Sequence, residues 1–161
     1  KRAELLPRRI AVARQVAGEH RVTLVLKTAR SLVAGPAGEV AIVPTGNPGM
    51  ATGGTGDVLT GLIAGLLARG VPPGLAARAG AYVHGLAGDI AAARVGPEAM
   101  LAGDLLDCLP EAIRQVKTGK NVRQFGGSAV QLFADPDGTA GQPTPLRSAV
   151  RGGDGRTAER Y

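Results

Sequence analysis

The chain has 161 residues, among them 25 Gly, 11 Pro, two Tyr, two Phe and no Trp, with 44% hydrophobic and 20% charged residues. That length suits one domain better than two, and that balance excludes a disordered chain and calls for a core of Ala, Leu, Val and Ile. The net charge of +6 is confined to residues 1–30, where eight Lys or Arg face Glu4 and Glu19; no aromatic residue interleaves them as a stacking platform, so nucleic acid is not an expected partner.

Residues 3–17 are patterned as an amphipathic helix, with Leu6, Ile10, Ala13, Val16 and Ala17 on one side and Arg8, Arg9 and Gln15 on the other. Pro7 falls in its first turn or marks a break. Val22-Thr23-Leu24-Val25-Leu26, between Arg21 and Lys27, is an apolar run rich in β-branched residues. It reads as a strand buried on both faces in the middle of an α/β sheet. Ser31 to Ala34 and Val40 to Val43 are shorter β-like runs, and Gly35-Pro36-Ala37-Gly38 between them is turn chemistry, so a hairpin is expected.

From Thr45 to Asp57 the chain is loop-like, with five glycines in thirteen residues. Helical patterning then runs for sixty residues. A first helix spans Val58 to Ala68 and stops at Gly70, Pro72 and Pro73; a second spans Leu75 to Val95 and closes at Gly96 and Pro97. A third runs from Glu98 or Ala99 to Lys117, interrupted near Gly103-Asp104, where Asp104 is a candidate cap, and near Pro110. Residues 118–161 are rich in Gly, Pro and Arg and read as a disordered tail. The longest apolar stretch, Val58 to Ala68, is too short to span a bilayer, so no membrane association is expected. Cys108 is the single cysteine and no signal-peptide pattern stands at the start, so a cytoplasmic location is expected. The first residue is Lys1 and not Met, which suggests a piece of a longer protein.

The glycine loop carries the chemistry. Gly53-Gly54-Thr55-Gly56-Asp57 stands between a sheet and a helix, where bare amides and the helix dipole favour an anion such as phosphate. It is no P-loop, because Asp57 and Val58 stand where Lys and Ser or Thr are needed. A dinucleotide fingerprint from Gly54 would need Gly at the position of Leu59. Asp57 is either a helix cap or a general base that takes a proton from a substrate hydroxyl while the Gly amides stabilise a transferring phosphoryl group.

The run Asn47-Pro48-Gly49-Met50-Ala51-Thr52-Gly53-Gly54-Thr55-Gly56-Asp57-Val58-Leu59-Thr60-Gly61 closely resembles the signature of the ADP/ATP-dependent NAD(P)H-hydrate dehydratases, members of the ribokinase-like superfamily. Leu24-Val25-Leu26-Lys27 and Tyr82-Val83-His84-Gly85-Leu86-Ala87-Gly88-Asp89 add to the resemblance, which covers roughly residues 5 to 115. It implies a three-layer α/β/α fold, of which residues 1–117 are expected to form the C-terminal half. It also implies an enzyme, a hydro-lyase that restores NADH and NADPH from their hydrated forms. The resemblance implies that the nucleotide phosphorylates the hydroxyl at C6 of the nicotinamide ring, after which phosphate leaves and the double bond returns. Asp57 would be the base that touches the hydrate. Lys27, Thr28, Ala29, Arg30 and Ser31, with Asn47, Pro48, Gly49, Met50, Ala51, Thr52, Gly53, Gly54, Thr55 and Gly56, would hold ADP or ATP, whose phosphates carry Mg²⁺. Thr28 departs from the family's usual Gly. Further expected partners are other copies of the chain and an N-terminal half or an epimerase domain. The alternatives are another ribokinase-like kinase acting on a vitamin precursor and a non-catalytic nucleotide-binding remnant.

Other residues have plainer readings. His84 is expected to pack between helices, Cys108 to fill core, and His20 to have no role. Gly61 and Gly65 are expected to let their helix pack closely on the sheet. Asp89 and Asp104 are a solvated face or a cap ahead of metal ligands, and Lys27 is either a strand-end charge or a nucleotide contact.

Overall fold

The computed structural model describes residues 2–118. Helix α1 (Arg2–His20) leads into three short strands, β1 (Leu24–Leu26), β2 (Leu32–Ala34) and β3 (Val40–Ile42). A 3₁₀ turn (Pro48–Ala51) precedes α2 (Thr55–Ala68), α3 (Pro73–Val95) and α4 (Ala102–Lys117). The strands form an antiparallel sheet in the order β1-β2-β3, with Val33 opposite both Val25 and Ala41. The hairpin expected between β2 and β3 is present, closed by the Gly35 N–H donating to the Glu39 carbonyl and the Gly38 N–H to that of Gly35.

Helices cover both faces of the sheet. Alternation along the strands sends Leu24, Leu26, Leu32, Ala34 and Val40 to α1, where Ala13 and Ala17 are fully buried with Leu6 and Ile10 beside them. Val25, Val33 and Val43 point the other way, onto Leu59 and Ile63 of α2 and Ala77 and Ala81 of α3. The largest cluster lies beyond the sheet, where Leu66, Tyr82, Val83, Leu86, Leu105, Cys108 and Val116 join α2, α3 and α4. This is a layered α/β/α arrangement, and Cys108 fills core as expected.

Four expectations need correction. The Val22 to Leu26 run is not fully buried: among the described residues β1 pairs on one side, with β2, its residues are half-buried, and Val22 is 42% exposed. Its continuous apolarity reflects helices over both faces of the sheet. Among the described residues Gly61 and Gly65 do not pack on the sheet; both are exposed, and a Cβ on either would meet nothing within 4 Å. The close approach is supplied by α3, where a Cβ on Gly80 would come within 2.6 Å of Ile63 Cγ1. Helix α2 starts three residues earlier than expected, because Gly54 at φ +85° turns the chain directly into it. In α4, Pro110 causes no break, since it stands with Leu106 on the exposed side where a carbonyl without a partner is solvated. Asp104 caps this helix from its third position, accepting the Leu101 N–H at 2.8 Å. Apart from Thr118, the tail expected over 118–161 lies outside the described residues. No helix among those residues is long and apolar enough to cross a membrane.

Candidate functional site

The turn between β3 and α2 is laid directly on α3. Thr45 Oγ1 donates to the Tyr82 carbonyl at 2.9 Å, and Asp89 accepts the Gly46 N–H and an Asn47 Nδ2 hydrogen, each at 3.0 Å. Asn47 Oδ1 accepts the Gly49 N–H at 3.0 Å, which caps the 3₁₀ turn. Met50 then plugs into the core against Gly46 and Gly88.

Thr55, the first residue of α2, is fully buried and is the hub of the site. Its hydroxyl accepts from Lys27 Nζ at 2.7 Å and faces the carbonyls of Met50 (2.9 Å) and Thr52 (3.1 Å) as a donor. Its carbonyl lies 2.7 Å from His84 Nε2; a carbonyl only accepts, so that nitrogen carries the proton. Burial pushes the His84 pKa down, the Thr55 bond works the other way, and the nearby Lys27 charge lowers it further, so the ring is held neutral. Burial also lowers the Lys27 ammonium from its ordinary value.

A cleft of about 480 Å³ opens at this hub. Lys27, Thr28, Ala29 and Ser31 form one wall, Thr45 to Pro48 with Met50 and Ala51 the other, and Ala81, His84 and Gly85 of α3 line it between them. The segments after β1 and after β3, set apart in the sequence, therefore share one cavity. Arg30, Gly49, Thr52, Gly53, Gly54, Thr55 and Gly56 do not line it. Gly53, Gly54 and Gly56 lie exposed at the start of α2, and the N–H groups of Thr55 and Gly56 precede the first intrahelical bonds there. This is the positive end of the helix dipole, pinned to the cleft by Lys27 and His84 through Thr55.

Asp57 stands at the third position of α2, exposed, and also outside the cleft lining. Its side chain makes no capping bond; the cap residue is Gly54. Asp57 is thus not the cap residue but the acidic residue of the first turn, at the positive end of the helix dipole. Among the described residues no three His, Cys, Asp or Glu side chains gather to hold a metal ion.

Two residues carry more than their sequence signal. His84 packs between helices as expected, and it also anchors the start of α2. Asp89 is neither a solvated face nor a cap of its own helix: both carboxylate oxygens hold the turn. Its spacing of four from Gly85 and seven from Tyr82, one face of a helix, was the available signal.

The family model described as NAD(P)H-hydrate dehydratase matches residues 3–111, more than half of the chain. The chain belongs to the NAD(P)H-hydrate dehydratase family. It is 54% identical over 115 residues to the bifunctional NAD(P)H-hydrate repair enzyme of Moorella thermoacetica, covering 71% of this chain and 22% of that protein. Identity to the ADP-dependent (S)-NAD(P)H-hydrate dehydratase of Neisseria meningitidis is 43% over 104 residues, 64% of this chain and 35% of that protein. The Bacillus subtilis ADP/ATP-dependent NAD(P)H-hydrate dehydratase, crystallised with ATP/Mg²⁺, superposes with a TM-score of 0.65 at 34% identity, over 70% of this chain and 41% of that one. The fold is thus the ribokinase-like one of these dehydratases, and the chain spans well under half the length of the relatives it matches.

Proposed function

We propose that this chain carries the nucleotide-binding part of a cytoplasmic enzyme that uses ADP or ATP to convert hydrated NADH and NADPH back to NADH and NADPH. The observation that carries this reading is the meeting of Lys27, Thr28, Ala29 and Ser31 with Asn47, Pro48, Met50 and Ala51 on one cleft, beside an α2 N-terminus whose third residue is an exposed carboxylate with no partner among the described residues. Family membership supports it.

In this reading the Lys27 ammonium and the free amides at the start of α2 bind nucleotide phosphates. Arg30, Gly49 and Thr52 to Gly56 contribute from the rim or from beneath the wall. Asp57 takes the proton of the hydrate's C6 hydroxyl as that oxygen attacks the terminal phosphoryl group, whose growing charge the Gly amides stabilise. Phosphate departure with loss of a ring proton restores the double bond. Mg²⁺ enters on the nucleotide phosphates as part of the phosphoryl donor, where it neutralises charge.

The deciding experiment supplies hydrated NADH with ADP or ATP and follows the return of NADH absorbance, with thiamin and pyridoxine precursors offered in parallel. Nucleotide-dependent NADH recovery is expected. A phosphorylated vitamin precursor without NADH recovery would replace this reading with that of another small-molecule kinase.

A further inference from the structure

One face of α3 is shaped to receive the turn that walls the cleft. Tyr82, Gly85, Gly88 and Asp89 follow one another at helical spacing along that face. A Cβ on Gly85 would lie 2.3 Å from Thr45 Oγ1, and one on Gly88 would lie 2.4 Å from Met50 Sδ. The two glycines therefore let the 45–50 segment rest directly on the helix. Asp89 then meets its polar groups, Oδ2 at the Gly46 N–H and Oδ1 at Asn47 Nδ2, both at 3.0 Å.

The second contact fixes a direction. A carboxylate only accepts, so it holds the NH₂ end of the Asn47 amide and leaves the oxygen end for the Gly49 N–H, at 3.0 Å. Turned over, Asn47 would set oxygen against carboxylate and NH₂ against N–H. One carboxylate thus orders Gly46 directly and Gly49 through Asn47, by charge-assisted bonds that are stronger than neutral ones. The ordered segment is one wall of the cleft.

We propose that Asp89 is a positioning residue for the nucleotide cleft: through Asn47 it holds the Gly46–Met50 wall in the shape that receives the nucleotide. This rests on the nucleotide reading above. Asp89 is not among the residues that line the cleft, and both of its oxygens are occupied by the turn.

The test uses Asp89→Asn and the double variant N47D/D89N in the full-length polypeptide. In Asp89→Asn, an NH₂ must face either the Gly46 N–H or the Asn47 amide, so one donor is left unpaired. In the double variant the pairing returns with roles reversed: the new carboxylate at 47 accepts from Gly49 and from the new amide at 89, whose oxygen accepts from Gly46. Hydrogen exchange at the Gly46 and Gly49 amides is expected to quicken in Asp89→Asn and to slow again in the double variant. ADP affinity of Asp89→Asn, by calorimetry, is expected to fall about tenfold. Unchanged exchange in Asp89→Asn, or exchange that the double variant does not restore, would overturn the proposal. Quickened exchange with unchanged ADP affinity would make Asp89 a purely structural residue and overturn it too. Wild-type protein that binds no ADP would remove the nucleotide reading itself, whereas equal binding by wild type and variant would remove this proposal alone.

Discussion

Lys27 and Thr55 stand 28 positions apart and meet with Lys27 Nζ donating to Thr55 Oγ1 at 2.7 Å. That contact joins the end of the first strand to the start of α2 and places an ammonium between the cleft and a helix N-terminus. Two positive elements, one a full charge and one a dipole end, thereby converge on the same side of the cavity.

Lys27→Met separates the site role of this lysine from any structural one. Thr55 keeps its hydroxyl contacts to the Met50 and Thr52 carbonyls and its bond to His84, and Lys27 is itself largely exposed. Its loss is expected to cost less than about 1 kcal/mol of stability, as for other exposed charges. ADP affinity is expected to fall about tenfold or more, because the proposed charge-assisted phosphate contact would disappear. Calorimetry beside a thermal melt checks both; full affinity in the variant would take Lys27 out of the site.

His84 predicts a pH dependence of stability. Its folded pKa is lowered from the ordinary 6.5, chiefly by burial, so the unfolded chain binds the proton more readily. The stability supplied by neutral His84 is therefore complete above about pH 6.5 and is lost as pH falls through the lowered value. In His84→Gln, a side-chain NH₂ can still donate to the Thr55 carbonyl, and nothing titrates there. As pH falls below about 6.5, the melting temperature of the wild type is expected to fall more steeply than that of the variant. Parallel slopes would assign the titration to another group.

How far the sequence reached follows from what each signal encodes. Alternation and turn residues report faces and chain reversals, so the hairpin and the order of the helices were legible. A continuous apolar run reports that both faces of a strand are covered and says nothing of its neighbours in the sheet, so the pairing of β1 with β2 was not legible in it. The glycines divide in the same way. Gly54 has a local reason, φ +85°, whereas the reason for Gly85 is Thr45, forty positions away, and no local pattern announces it. That Lys27 to Ser31 and Asn47 to Gly56 belong to one site was expected from the family signature alone, since two loops converge only through the packing of β1, β3 and α3; of these residues only Lys27, Thr28, Ala29, Ser31, Asn47, Pro48, Met50 and Ala51 line the cleft. Asp89 was missed because its partners, Gly46 and Asn47, are likewise remote in sequence.

Asp57→Asn tests the proposed base directly. Among the described residues the carboxylate makes no capping bond and is exposed, so the substitution is expected to leave the fold in place at a cost below about 1 kcal/mol from the lost charge–dipole contact. Turnover of hydrated NADH by the full-length enzyme is expected to drop by about 10²–10⁴-fold, the usual contribution of a general base, with nucleotide affinity nearly unchanged. Steady-state kinetics beside ADP titration separates the two quantities. A variant with wild-type kcat would remove Asp57 from the proton transfer.

Two glycine-to-alanine changes on neighbouring helices should act in opposite directions. At Gly85 a new Cβ would sit 2.3 Å from Thr45 Oγ1 and 2.7 Å from the Thr45 carbonyl carbon, and the second atom is backbone that cannot rotate aside. The turn must lift from α3, straining the Thr45 contact to Tyr82 and the two bonds to Asp89. Gly85→Ala is therefore expected to lose about 1–3 kcal/mol, as overpacked sites do, and to weaken ADP binding, because Gly85 also lines the cleft. At Gly65, within α2, the new methyl meets nothing within 4 Å, and only helix propensity changes. Gly65→Ala is expected to gain about 0.5–1 kcal/mol. Urea unfolding of both variants checks the signs. Stabilisation by Gly85→Ala would contradict the close approach of the turn, and destabilisation by Gly65→Ala would mean that this uncharged face of α2 is covered by another surface in solution.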